Sequence, residues 1–146
     1  MSESSQSAAP VKRIEVSAGL LFRNRRLLIT RRRAKDHLGG LWEFPGGKRE
    51  TGERFESCLR RELHEELGTR VEVGALIETI AHDYPGKSVL LQFFRCTLAA
   101  DAPEPQPLGC DDLAWISPEE IDRYEFPAAD ARLLARLRAE TILWEA

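Results

Sequence analysis

The stretch Gly47–Gly68, GKRETGERFESCLRRELHEELG, decides how this chain is read. At about 100° per residue, Phe55, Leu59, Leu63 and Leu67 form an i, i+4 apolar row that Cys58 widens on one side. Glu62 and Glu66 project within that arc, Glu65 lies at its edge and His64 points elsewhere. A helix with only a packing role would carry Leu or Ala at 62 and 66. Two carboxylates turned towards a core need a counter-ion, because an unpaired buried charge is costly and two acids aimed at one spot raise each other's pKa. A divalent cation answers both demands. Hard oxygen donors on one rigid element, with no histidine or cysteine pair nearby, favour Mg²⁺, with Mn²⁺ as a possible substitute, over Zn²⁺. The helix alone also reads as a solvated one laced with ion pairs, Arg54, Arg60 and Arg61 partnering Glu50, Glu56, Glu65 and Glu66.

The flanks shift that balance. Leu41-Trp42-Glu43-Phe44-Pro45-Gly46-Gly47-Lys48 is an apolar, strand-like run ending in two glycines, whose backbone lets a carbonyl or amide approach an ion or phosphate closely. Thr51-Gly52-Glu53 adds a second turn, with Thr51 or Glu53 available to cap the helix.

Gly47, five residues, Glu53, seven residues, then Arg61-Glu62-Leu63-His64-Glu65-Glu66-Leu67-Gly68 resembles the box of the Nudix hydrolase superfamily; only the last position departs, with Thr69 where an aliphatic residue is usual. The run from Trp42 to Lys48 narrows the resemblance to the MutT-like branch, whose members clean nucleotide pools, and the likeness extends from about Val16 to Leu137. It implies a Mg²⁺-dependent pyrophosphohydrolase acting on small nucleotides, in which water attacks an internal phosphorus and releases a monophosphate and pyrophosphate. By that resemblance Glu62, Glu65 and Glu66, with the Gly46 carbonyl, hold the metal. Glu53 and Arg61 orient loop and helix through a salt bridge.

A chain of 146 residues fits one domain. Residues 1–12, Ser-rich and poor in apolar side chains over Met1 to Pro10, read as a disordered tail, and 13–146 as a single Nudix-type domain. With no signal-peptide core and no membrane-length apolar run, a cytoplasmic protein without membrane partners is expected. Cys58, Cys96 and Cys110 are odd in number and widely spaced, which argues for reduced packing residues rather than disulfides or a zinc ribbon. A net charge of −3 argues against wrapping on a nucleic-acid polymer. Arg23, Arg25, Arg26, Arg31, Arg32 and Arg33 nevertheless concentrate positive charge before the acidic helix. Most of them read as a solvated strand end; Arg32 stands where the resemblance places a nucleotide-contacting arginine.

Hydrophobic alternation predicts strands over Ile14 to Phe22 and Arg26 to Thr30, a hairpin closed at Arg23-Asn24-Arg25, then the box loop and helix. Val71 to Ile80 and Ser88 to Leu98 follow, separated by the turn Asp83–Lys87. Ala102 to Leu108 is a Pro-rich loop, Leu113 to Ile116 a short strand, Pro118 opens a small helix, and Ala128 to Glu140 closes the chain as an amphipathic helix with Leu133, Leu134 and Leu137 inward. The expected fold class is α/β, a mixed sheet covered on both faces as an α/β/α sandwich, which is also the Nudix fold.

Two assignments remain open in the sequence. Relatives often carry a base glutamate in the loop before a tryptophan that resembles Trp115, and Gly109 holds that place here. Asp111 is the possible base, Asp112 and the more distant Glu104 are others, and Glu65 or Glu66 can serve instead; Asp111 and Asp112 also read as a plain turn pair. For the base-binding end, Glu125-Phe126-Pro127-Ala128-Ala129-Asp130 resembles the segment that reads the nucleobase, with Phe44 and Leu108 as apolar walls. Asp130 stands where relatives acting on oxidised guanine have Asn. An amide donates and accepts, whereas an ionised carboxylate only accepts. Asp130 therefore serves an 8-oxoguanine edge if protonated, grips guanine or cytosine amino groups if ionised, or simply caps the closing helix. The leading expectation is hydrolysis of oxidised purine triphosphates such as 8-oxo-dGTP by a monomer or homodimer. The alternatives are a pyrophosphohydrolase of CTP or 5-substituted pyrimidine triphosphates, and a non-catalytic nucleotide-sensing module.

Overall fold

A computed structural model describes residues 12–145. The expected tail falls largely outside them, except that Lys12 already belongs to the first strand. The elements run β1 (Lys12–Arg23), β2 (Arg26–Arg31), β3 (Trp42–Glu43), β4 (Gly46–Lys48), α1 (Phe55–Leu67), β5 (Val71–Tyr84), β6 (Lys87–Leu98), β7 (Asp112–Ile116) and α2 (Ala131–Ala139). Their order across the sheet is β3-β2-β1-β6-β5, with β4 also on β1 and β7 on β2. β1 and β6 are parallel and the other pairs antiparallel, so the sheet is mixed as expected.

Alternation along β1 builds the two faces. Ala18, Leu20 and Phe22 join Leu133, Leu134 and Leu137 of α2 and Trp144 in one core. Leu21 joins Leu28 and the α1 row Leu59, Leu63 and Leu67 in the other. Helices thus cover both faces of the sheet, an α/β/α sandwich. The buried Trp144, whose indole donates to the Leu137 carbonyl at 3.0 Å, extends the α2 core beyond the predicted inward leucines.

Element boundaries shift for local reasons. Asn24 and Arg25 both have φ near +55° (52° and 61°), the two-residue turn that matches strand twist. β5 continues to Tyr84 because Pro85-Gly86 alone closes the hairpin, with Tyr84 opposite Lys87. The run Leu41–Lys48 is two short strands rather than one. Ala128–Asp130 forms a 3-10 turn ahead of α2, so the closing helix starts later than its pattern predicts. At the start of α1, neither Thr51 nor Glu53 caps: Arg54 holds the cap position with no side-chain bond, and Glu53 accepts instead from the Glu50 amide at 3.0 Å. Gly68 ends α1 in the left-handed region, φ 66°, donating to the His64 carbonyl. All three cysteines are free and buried. Among the described residues no helix is long and apolar enough to cross a membrane.

Candidate active site

β1 carries both arms of the site. Near its end it pairs with β2 through Phe22 and Arg23, while Val16, Ser17 and Ala18 pair with Lys48, Gly47 and Gly46. The double glycine is demanded by packing on both sides. A Cβ at Gly46 would stand 1.9 Å from the Ser17 carbonyl oxygen, and one at Gly47 would stand 2.2 Å from the Glu62 carboxyl. The β4 backbone is therefore pressed between β1 and the acidic side of α1.

Arg61 organises that side. Its Nε donates to Glu53 Oε2 at 2.7 Å and Nη2 to Glu53 Oε1 at 3.0 Å. Nη1 reaches Glu62 Oε2 at 2.9 Å and Glu65 Oε1 at 3.4 Å, and Nη2 also donates to the Lys48 carbonyl at 3.2 Å. The Glu53–Arg61 salt bridge expected from sequence is thus present, and Arg61 also pairs with Glu62, an acid not among the ion-pair partners expected for it. Its hydrogen bonds hold Glu53 down at about 2. Glu65 is the exposed member, its side chain 57% accessible.

Glu66 has no such partner among the described residues. Burial first, then the charges of Glu43 and Glu62, push its carboxyl up to about 8. Burial also raises Glu62, against the pull of Arg61. As they stand, no three His, Cys, Asp or Glu side chains among the described residues converge on one point. The donor set nevertheless fits a hard cation: half-buried carboxylates on one helix face, one of them without an ion-pair partner among the described residues and driven towards its neutral form by burial and then by neighbouring charge.

Across the sheet from α1, a cleft of about 330 Å³ opens over β1 and β6, with Val16, Ala18, Leu91 and Phe93 in its floor. Phe44 lines it, stacked on Phe126 at 5.2 Å and edge-on to Phe93 at 5.9 Å. Arg32 lines it too, with Nη1 on Glu43 Oε1 at 3.0 Å and Nε on the His37 carbonyl at 2.7 Å. Asp130 faces the same space. It does not cap α2; its side chain makes no cap bond, is 7% exposed, and burial together with the charge of Glu43 pushes it up to about 7.

Glu43 had no role in the sequence analysis. Its signal was an acid in the middle of the apolar run Leu41–Phe44, and the structure shows it between the two halves of the site, raised by burial and opposed by Arg32.

Other sequence candidates lie elsewhere. Leu108 is not a wall of this cleft: it is 57% exposed, its amide donates to the Glu66 carbonyl, and its side chain reaches Gly68. The loop carrying it docks on the end of α1 by backbone bonds, and Gly109 rests against Glu66. Asp111 and Asp112 are exposed; the Asp111 amide bonds the Arg31 carbonyl and Asp112 accepts from the Leu113 amide. Glu104 is engaged by Arg23 at 2.8 and 3.0 Å. None of these acids lines the cleft.

Residues 17–136 match the NUDIX domain family. The chain is 42% identical over 87 residues to the 8-oxo-dGTP diphosphatase of Proteus vulgaris, an alignment covering 59% of this chain and 78% of that one. It is 35% identical over 134 residues to the CTP pyrophosphohydrolase of Escherichia coli K12, covering 88% and 94%. Among solved structures, that of the E. coli ORF135 protein superposes with a TM-score of 0.75 at 35% identity, covering 88% of this chain and 91% of that one. With the box from Gly47 to Gly68 inside the matched residues 17–136, the chain is a Nudix hydrolase and belongs to the NUDIX domain family.

Proposed function

We propose that this enzyme hydrolyses nucleoside triphosphates to a monophosphate and pyrophosphate, with oxidised purine triphosphates such as 8-oxo-dGTP as its leading substrates, in a Mg²⁺-dependent reaction that cleans the cytoplasmic nucleotide pool. It acts on the free nucleotide rather than on a polymer or a membrane, as a monomer or homodimer. The observation that carries this reading is Asp130: a carboxyl free of any cap bond, buried beside Phe44, and able at about 7 to hold a proton. A neutral carboxyl offers one donor and one acceptor side by side, as the N7–H and O6 edge of 8-oxoguanine requires.

Glu62, Glu65 and Glu66, with the Gly46 carbonyl, would hold Mg²⁺, and Mn²⁺ in its place. Bound there, the ion supplies charge neutralisation at the phosphate oxygens and a more acidic water. Arg61 and Glu53 keep the helix acids in register with the glycine loop. With no acid of the loop before β7 lining the cleft, Glu65 or Glu66 would serve as the base that takes the proton of the attacking water. Phe44 packs the base, and Arg32 shapes the cleft from its ion pair with Glu43.

A pyrimidine reading is favoured by one feature. Ionised Asp130 accepts from the N4 amine of cytosine, and the E. coli relative matched over 88% of this chain is named for CTP. Steady-state kinetics on 8-oxo-dGTP, dGTP and CTP, with ³¹P NMR of the products, separates the two. A kcat/KM for 8-oxo-dGTP no higher than for dGTP and CTP rejects the oxidised-purine reading, and release of orthophosphate rejects the cleavage position.

A further inference from the structure

The last turn of α1 carries Glu65 and Glu66, two of the three carboxylates proposed above to hold the metal. Helix ends fray, and the final carbonyls have no partner within the helix, so the place of both acids depends on what holds that turn. The loop Ala102–Leu108 and the glycine after it supply the partners. The Gln106 amide donates to the Leu67 carbonyl at 2.9 Å, and the amides of Leu108 and Gly109 both donate to the Glu66 carbonyl at 3.0 Å. Pro103, Pro105 and Pro107 have no N–H, which leaves the alternate residues as donors and stiffens the strap that carries them. Gly109 completes the fit: a Cβ there would stand 3.2 Å from Glu66 Cα and Cγ, so the bare backbone lies against the stem of that acid.

One residue anchors the strap at its start. Thr69 is fully buried, and its hydroxyl donates to the Pro103 carbonyl at 2.6 Å. It is also the one departure of the box, in the place of the usual aliphatic residue. A hydroxyl carried into the interior costs free energy unless it is hydrogen-bonded, so Thr69 is explained by the carbonyl it holds rather than by packing. Exposed ties add to it: Arg23 donates to the Glu104 carboxylate at 2.8 and 3.0 Å, and Arg33 to the Leu108 carbonyl at 3.3 Å. Such surface contacts contribute little by themselves. We propose, on the role given to Glu66 above, that Thr69 is a positioning residue for the reaction: it pins the proline strap that caps α1, and the strap holds Glu66 in place.

Thr69→Val removes the hydroxyl and keeps the shape; Pro103 is exposed, so its carbonyl turns to water and the fold is retained. In the full chain without metal or nucleotide, hydrogen exchange at the Gln106, Leu108 and Gly109 amides is expected to quicken by about fivefold, the scale of one neutral hydrogen bond. Mn²⁺ affinity, read by electron paramagnetic resonance, and kcat with Mg²⁺ should each fall by about tenfold, the low end of what mis-set ligands of a metal site cost. KM for the nucleotide should not move, because the strap does not line the cleft. Thr69→Ser keeps the donor and should restore exchange, Mn²⁺ affinity and kcat together. Three results overturn the proposal: Thr69→Val matching the unmodified protein, loosened amides with Mn²⁺ affinity and kcat unchanged, or Thr69→Ser as impaired as Thr69→Val, which assigns the effect to packing. If Thr69→Val does not fold, Pro103→Gly loosens the same strap from its exposed side, and an unchanged Mn²⁺ affinity and kcat with faster exchange overturns the proposal there too. Glu66→Gln is the reference variant. Mn²⁺ affinity and turnover lost in it but kept in Thr69→Val overturn this inference alone, whereas both kept in Glu66→Gln overturn the role given to Glu66 above.

Discussion

Arg61 grips Glu53 with two hydrogen bonds, at 2.7 and 3.0 Å, and touches Glu62 at 2.9 Å with the third nitrogen of the same guanidinium. One planar fork thereby fixes the glycine loop to the acidic face of α1. A lysine offers a single point charge and cannot hold both acids at once. Arg61→Lys and Glu53→Gln should each lower kcat by about 10–100-fold, the usual cost of losing a residue that orients metal-site ligands. Mg²⁺ titrations followed by activity check this. The hydrogen bonds that hold Glu53 near 2 predict a carboxyl ¹³C resonance that titrates about two pH units below a free glutamate in the unmodified protein and moves up in Arg61→Lys, where the Glu50 amide bond is kept.

Adjacent glycines should fail in different ways. A methyl at Gly46 meets the Ser17 backbone, which cannot yield, so Gly46→Ala should lower the melting temperature strongly. A methyl at Gly47 meets the Glu62 carboxyl, the far end of a side chain, so Gly47→Ala should stay folded and lose metal-dependent turnover. Calorimetry and kinetics on the two variants separate strand packing from site assembly.

Asp130 links stability to pH. Burial first, and Glu43 second, raise its carboxyl from 3.8 to about 7 in the folded protein. A group with a raised folded pKa contributes its stability below the unfolded value and loses it as pH rises through the folded one. The nucleotide-free protein should therefore weaken between about pH 4 and pH 7, by up to about 4 kcal/mol from this group. Asp130→Asn should flatten that slope. Urea denaturation across the range reads it directly, and an unchanged slope in the variant rejects the assignment.

The loop after β6 should contribute no acid to the chemistry. Asp111→Asn and Asp112→Asn are expected to leave kcat/KM within about twofold, as surface substitutions do. Leu108→Ala should leave nucleotide affinity unchanged because the side chain lies at the end of α1. Phe44→Ala, in contrast, should weaken nucleotide binding and cost about 3–5 kcal/mol of stability, since it removes a ring stacked on Phe126 and packed on Phe93. Turnover lost in Asp111→Asn with folding intact would return the base to that loop.

The sequence by itself determined what local periodicity and chain spacing can carry: the strands, the apolar row of α1, the box with Glu53, Arg61, Glu62, Glu65 and Glu66, and a mixed sheet covered on both faces. Each is written in residues a few positions apart, where helix and strand geometry dictate which side chains share a face. Tertiary structure decided the rest, because it depends on which distant segments meet. It pressed the Gly47 backbone against Glu62, gave Glu43 a place between the helix acids and Asp130, and turned Asp130 into the cleft instead of onto the end of α2. It also carried Leu108, Asp111 and Asp112 away, since their loop is tied by its backbone to the last turn of α1, to Arg31 and to β7. Burial and charge neighbourhood, which set the state of Glu66 and Asp130, follow from these long-range contacts and from no stretch of sequence alone.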